Sequence, residues 1–86
     1  MNHIQQTFNP ANFGFEWTAD GWYSWDRAAA HKAAMQARNA RAKALKAEGR
    51  RVVSSAMAGQ LITRGGIGSG FPEISLVCTV YMVQAL

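Results

Sequence analysis

Arg27–Glu48 reads RAAAHKAAMQARNARAKALKAE, and this stretch decides the fold. Ten of its 22 residues are alanine and neither glycine nor proline interrupts it, so propensity predicts one long helix. Ala30, Ala33, Ala37, Ala40, Ala44 and Ala47 recur at spacings of 3, 4, 3, 4 and 3, with Ala29 beside them. At 100° per residue these seven alanines share one sector roughly 100° wide. Lys32, Lys43 and Lys46 border one side of that seam, and Arg27, Arg38 and Arg41 border the other. The pattern separates how the helix is held from what it can touch. The alanine seam is expected to pack closely, and a basic flank is left for a partner.

The ends of the helix are marked as well. Ser24 or Asp26 can accept hydrogen bonds from the first free N–H groups, and a carboxylate suits the positive end of the helix dipole. Gly49 supplies a left-handed stop, with Lys46, Arg50 and Arg51 near the negative end.

Upstream, residues 13–25 read FGFEWTADGWYSW, with aromatic residues alternating around Asp20-Gly21. Asp-Gly in that setting predicts a hairpin with a two-residue primed turn. Such a turn pairs Ala19 with Trp22 and Trp17 with Ser24. Phe13, Phe15, Trp17 and Trp22 then share one face, opposite Glu16, Thr18, Tyr23 and Trp25. Six large aromatics in thirteen residues exceed what one side of a small hairpin buries, so some are expected at the surface. Residues 1–12 are polar with an Asn-Pro turn signal and read as an arm or a loose edge.

Downstream, residues 51–57 read as a strand and 60–63 as a short strand or turn. A glycine loop follows at 64–72. Ile74–Val83 is the clearest strand, with Ile74, Leu76, Cys78, Val80 and Met82 on one face. The order β-β-α-β-(β)-β predicts one α+β domain: a small antiparallel or mixed sheet covered on one face by the single helix. Alanine lets the helix axis lie close to the sheet, and Phe and Trp from the sheet fill the space. The rival reading packs the alanine seam against the same helix in a second copy, so a homodimer is also possible.

Charge is segregated. Residues 27–51 hold eight of the nine Lys/Arg against Glu48 alone, a balance of +7; the rest sets Arg64 against four acids, −3. A positive segment on a near-neutral body suggests an anionic partner, against the alternative of a simply solvated helix. The single cysteine, Cys78, excludes an internal disulfide and fits a reducing cytoplasm. The start, MNHIQQTFNP, lacks the basic and apolar regions of a signal peptide. Ile74–Val83 is too short to span a bilayer, so a soluble cytoplasmic protein without membrane contact is expected.

Catalytic groups are scarce. Cys78 falls on the expected core face, His3 lies in the arm and His31 lies among the basic flanks. No metal-ligand spacing or close pair of carboxylates occurs. The loop Arg64–Gly70 could form an anion nest, but it fits neither a P-loop nor a dinucleotide fingerprint, and a flexible connection is the plainer reading. No cofactor and no enzymatic activity are expected. The residues expected to meet a partner or nucleic acid are Arg27, Lys32, Arg38, Arg41, Lys43, Lys46, Arg50, Arg51 and Arg64, with Tyr23 and Trp25 available to stack.

Phe8-Asn9-Pro10, the run Thr18–Asp26, the Ala/Arg/Lys helix, Arg64–Gly70 and Pro72-Glu73-Ile74 resemble small tailed-phage accessory proteins of unassigned function. That resemblance implies a binder that redirects or blocks host machinery such as nucleases, polymerases or CRISPR complexes. It transfers no site residue. The expected function is an anti-CRISPR-like or host-takeover binding protein engaging a host protein or nucleoprotein. The alternative is sequence-independent nucleic-acid binding through the basic helix.

Overall fold

The computed structural model describes residues 3–68, 70 and 73–86. The fold is α+β. Strands β1 (Ile4–Phe8), β4 (Val52–Arg64) and β5 (Ile74–Ala85) form an antiparallel sheet in the order β1-β5-β4. Strands β2 (Glu16–Trp17) and β3 (Tyr23–Ser24) form a separate two-stranded hairpin, and helix α1 (Arg27–Ala47) packs against the three-stranded sheet. Among the described residues, no helix is long and apolar enough to cross a membrane.

Helix α1 starts where its cap permits. Asp26, rather than Ser24, is the cap: its Oδ1 accepts the Ala29 N–H at 3.1 Å. The helix ends one residue before Glu48, which serves as the C-cap. Gly49 follows at φ +83°, its N–H bonding to Lys46 and that of Arg50 to Leu45. That double bond is a Schellman motif, which needs the left-handed residue.

Of the two readings of residues 1–12, an arm or a loose edge, Ile4–Phe8 takes the edge. Ile4–Phe8 pairs with Ala85–Tyr81 of β5 and forms one edge of the sheet. A short 3-10 turn follows at Pro10–Asn12, with Pro10 buried. The two segments expected at 51–57 and 60–63 are one continuous strand, β4, with a register shift between Gln60 and Ile62. The clear strand starts at Ile74 as expected and continues past Val83 to Ala85. Ile74, Leu76, Cys78 and Met82 are buried along its expected face and Val80 is half-buried there. Val83 and Ala85, on the opposite face, are buried too, because that face meets Ala42 and Leu45 of α1.

The inward face of α1 is not the alanine seam. Buried positions are Ala30, Ala34, Ala42 and Leu45, whereas Ala29, Ala40, Ala44 and Ala47 are exposed and Ala33 and Ala37 half-buried. At 100° per residue the inward direction is turned roughly 110° from the seam. Leu45 explains the rotation. Leu45 and Val83 are both fully buried and cluster with Ala42 and Ala85, and Ile4, Phe8 and Val52 pack around them. Burying one leucine outweighs burying an alanine by several methylenes, at about 0.8 kcal/mol each.

The aromatic hairpin also corrects its expected register. Glu16 pairs with Ser24 and Trp17 with Tyr23. The Thr18 N–H bonds to the Trp22 carbonyl, and the Gly21 N–H to the Thr18 carbonyl. The loop is therefore the three residues Ala19-Asp20-Gly21, with only Gly21 at positive φ, +85°. A one-residue slip moves one strand's side chains to the other face. Phe15, Trp17, Tyr23 and Trp25 consequently gather together, with Phe15 ring-to-ring distances of 5.1, 5.4 and 5.6 Å to the other three.

Replacing Leu45→Ala should destabilise the fold by about 2–5 kcal/mol, while Ala44→Ser, one residue away on the exposed side, should leave it within about 0.5 kcal/mol. Urea unfolding followed by circular dichroism distinguishes these; equal losses would remove Leu45 from its central role.

Candidate partner interface

The rotation of α1 sends the two basic flanks to different environments. The arginine flank turns toward the sheet, and each of its members is tied to a different strand. Arg27 donates to the Val77 carbonyl of β5 at 2.8 Å. Val77 lies beyond Tyr81, where pairing with β1 stops, so Arg27 meets strand that β1 does not cover. Arg38 donates to the Ser55 carbonyl of β4 at 2.9 Å. Its guanidinium lies 5.3 Å from the centre of the Tyr81 ring and also bonds the Asn39 side chain. Arg41 donates to Gln6 Oε1 of β1 at 3.1 Å. Arg38 and Arg41 are half-buried, laying their aliphatic stems over apolar surface.

The lysine flank points the other way. Lys32, Lys43 and Lys46 are all exposed. Lys43 and Lys46 lie one turn apart, and Lys32 about 16 Å further along the axis at 1.5 Å per residue. At the C-terminal end, half-buried Arg50 pairs with Glu48 at 3.3 Å, and Arg51 is exposed.

The remaining expected residues sit elsewhere. Tyr23 and Trp25 are half-buried in the hairpin cluster, and Trp25 Nε1 donates to the Phe13 carbonyl at 3.2 Å. Their faces are occupied: Tyr23 stacks on Phe15 and on Trp22, whose ring centre is 5.3 Å away. Among the described residues the exposed aromatics are instead Trp22, half accessible, and Trp17. Trp17 lies beneath the Arg64 guanidinium, 4.4 Å from ring centre. The sequence reading missed this pair because the expected turn put Trp22 and Trp17 together on one packed face. In the glycine loop Ile67 is fully exposed. Ser69, Phe71 and Pro72 lie outside the described residues.

The reactive groups are placed as follows. The Cys78 thiol is buried. His31 is half-buried between two rings, 6.4 Å from Trp25 and 6.0 Å from Tyr81, with Nδ1 3.5 Å from the Tyr81 hydroxyl. A groove of about 170 Å³ is lined by His3, Arg51, Val53, Gln84, Ala85 and Leu86 and includes neither. Among the described residues, no three His, Cys, Asp or Glu converge as metal ligands. The Asp20 carboxyl sits in the hairpin turn. The Thr18 hydroxyl and then the Trp22 N–H, 3.1 Å from Oδ1, hold it below the ordinary aspartate range.

Comparison with protein-family models, curated proteins and solved structures gives no match for this chain.

Two outcomes follow from this geometry. Arg38→Gln should cost about 1–2 kcal/mol by removing the charged bond to Ser55 and the contact with Tyr81, lowering Tm by several degrees, whereas Lys43→Gln should leave Tm unchanged. Equal effects would mean that the arginine flank does not hold the sheet. For Asp20, a depressed folded-state pKa stabilises the hairpin fully above the unfolded value of about 3.9 and loses that contribution as pH falls through the folded value. Tryptophan fluorescence titrated from pH 5 downward should therefore show an acid transition that shrinks in Asp20→Asn; an identical profile would exclude the turn carboxylate as its source.

Proposed function

We propose that this chain is a non-catalytic binding protein of the kind encoded by tailed phages as accessory factors. It engages an acidic face of a host protein or nucleoprotein complex, as anti-defence and host-takeover inhibitors do. The observation that carries this reading is the sorting of charge on α1: the arginines hold the sheet, and Lys32, Lys43 and Lys46 all project into solvent. Lysine ammonium groups on flexible stems steer an anionic surface during encounter without demanding one geometry. Apolar anchoring then comes from exposed groups off the helix, Trp22, Trp17 and Ile67, since a few large side chains dominate the affinity of most interfaces.

A second reading, direct binding of single-stranded nucleic acid, is favoured by one arrangement. Arg64 over Trp17, with Trp22 half accessible on the same hairpin, offers a stacking surface beside a cation.

Affinity capture from host lysate, with and without nuclease, separates the two. The first reading expects a protein partner that survives nuclease and is weakened at least about tenfold, roughly 1.4 kcal/mol, by Lys32→Gln/Lys43→Gln/Lys46→Gln. Unchanged capture by that triple variant would exclude the lysine flank as the contact. The second expects capture to vanish after nuclease. Its affinity should fall with salt along a slope that the triple variant reduces by about two.

A further inference from the structure

We propose that the outer edge of β4 pairs antiparallel with the same edge of a second copy of this chain, joining two three-stranded sheets into one of six. Among the described residues β4 pairs only with β5 and is an edge strand. From Val52 to Thr63 it contains no charged residue and no proline, two of the devices that protect an edge from pairing, and its register shift lies between Gln60 and Ile62, beyond the segment 52–58.

The phase of its hydrogen bonds is fixed by one contact. The Leu86 N–H donates to the Arg51 carbonyl at 3.1 Å, and the register continues with Val53 opposite Gln84, Ser55 opposite Met82 and Met57 opposite Val80. In an antiparallel ladder, directly opposed residues alternate between bonding one another and turning away. Arg51, Val53, Ser55 and Met57 therefore bond inward to β5. Val52, Ser54, Ala56 and Ala58 turn their N–H and C=O groups outward. Ser54, Ala56 and Ala58 are exposed.

The occupant is a second copy because this edge is complementary to itself. A two-fold axis at Ser55 pairs Val52 with Ala58 and Ser54 with Ala56, so the outward groups of these four residues meet outward groups of the other strand. It also sets Val53 directly opposite Met57, twice. Among the described side chains of β4 these are the two exposed large apolar ones, at 59% and 54% accessibility, and they share one face. They meet in the closer, non-hydrogen-bonded kind of pair. No charge in the strand opposes its own copy. Because such an axis runs perpendicular to the sheet, both helices fall on the same side of the joined sheet.

Sedimentation across the soluble concentration range should give a dimer for the wild type, and a folded monomer for Val53→Lys/Met57→Lys and for Ala56→Pro. Proline at 56 removes only an outward N–H, and circular dichroism checks folding of both variants. In a Cys78→Ala background, Ser55→Cys should cross-link to its mate on mild oxidation, since opposed residues about 4.5 Å apart lie within disulfide range; Ser54→Cys should not. A wild-type monomer at all concentrations overturns the proposal. So does a dimer that persists in both edge variants, which would move the contact to another surface such as the exposed Ala40/Ala44/Ala47 side of α1.

Discussion

The structure depends on the contact between Leu45 and Val83. Both side chains are fully buried, and around them close Ala42, Ala85, Ile4, Phe8 and Val52 from the helix and all three strands of the sheet. A helix in which alanine is nearly half of the residues offers little apolar area, so its one leucine sets the azimuth at which it lands. Once Leu45 points inward, every other residue of α1 has its environment assigned by the 3.6-residue period. Ala30, Ala34 and Ala42 go beneath, and Arg27, Arg38 and Arg41 go to the sheet side.

The arginines then supply what the alanines cannot. Arg27, Arg38 and Arg41 reach β5, β4 and β1 respectively. A guanidinium can stack on a ring while bonding a carbonyl, as Arg38 does between Tyr81 and Ser55. Lysine has no such fork. The division of the two cations between the two flanks therefore matches their chemistry: arginine where geometry is fixed, lysine where only charge is presented.

Much of this was legible before the fold was known. Helix α1, its Gly49 stop and the buried residues Ile74, Leu76, Cys78 and Met82 of β5 follow from local propensity and periodicity, because each is written in neighbouring residues. The choice of Asp26 over Ser24 as cap, and the burial of Val83 and Ala85 on the other face of β5, do not. The inward face of α1 was legible too, though in Leu45 and not in the more numerous alanines. Counting small residues finds a regular seam; weighing apolar area finds the side that is buried. The hairpin shows the opposite case. Asp20-Gly21 marks a turn correctly, yet two- and three-residue loops both accept it, and only the Thr18–Trp22 pairing distinguishes them. That one-residue difference decides whether Trp22 is packed or half exposed.

The sequence by itself determined a basic, alanine-rich helix beside an aromatic hairpin and a strongly alternating strand, because these features depend on residues a few positions apart. Tertiary structure alone decided which basic flank is free, since that choice is made by contacts such as Arg38 to Ser55 and Arg41 to Gln6, 17 and 35 residues apart in the chain. It likewise decided that β4 is an edge. A strand's sequence states which side chains alternate, but whether its outer hydrogen bonds are used depends on what lies beside it, and here β1 takes the other side of β5.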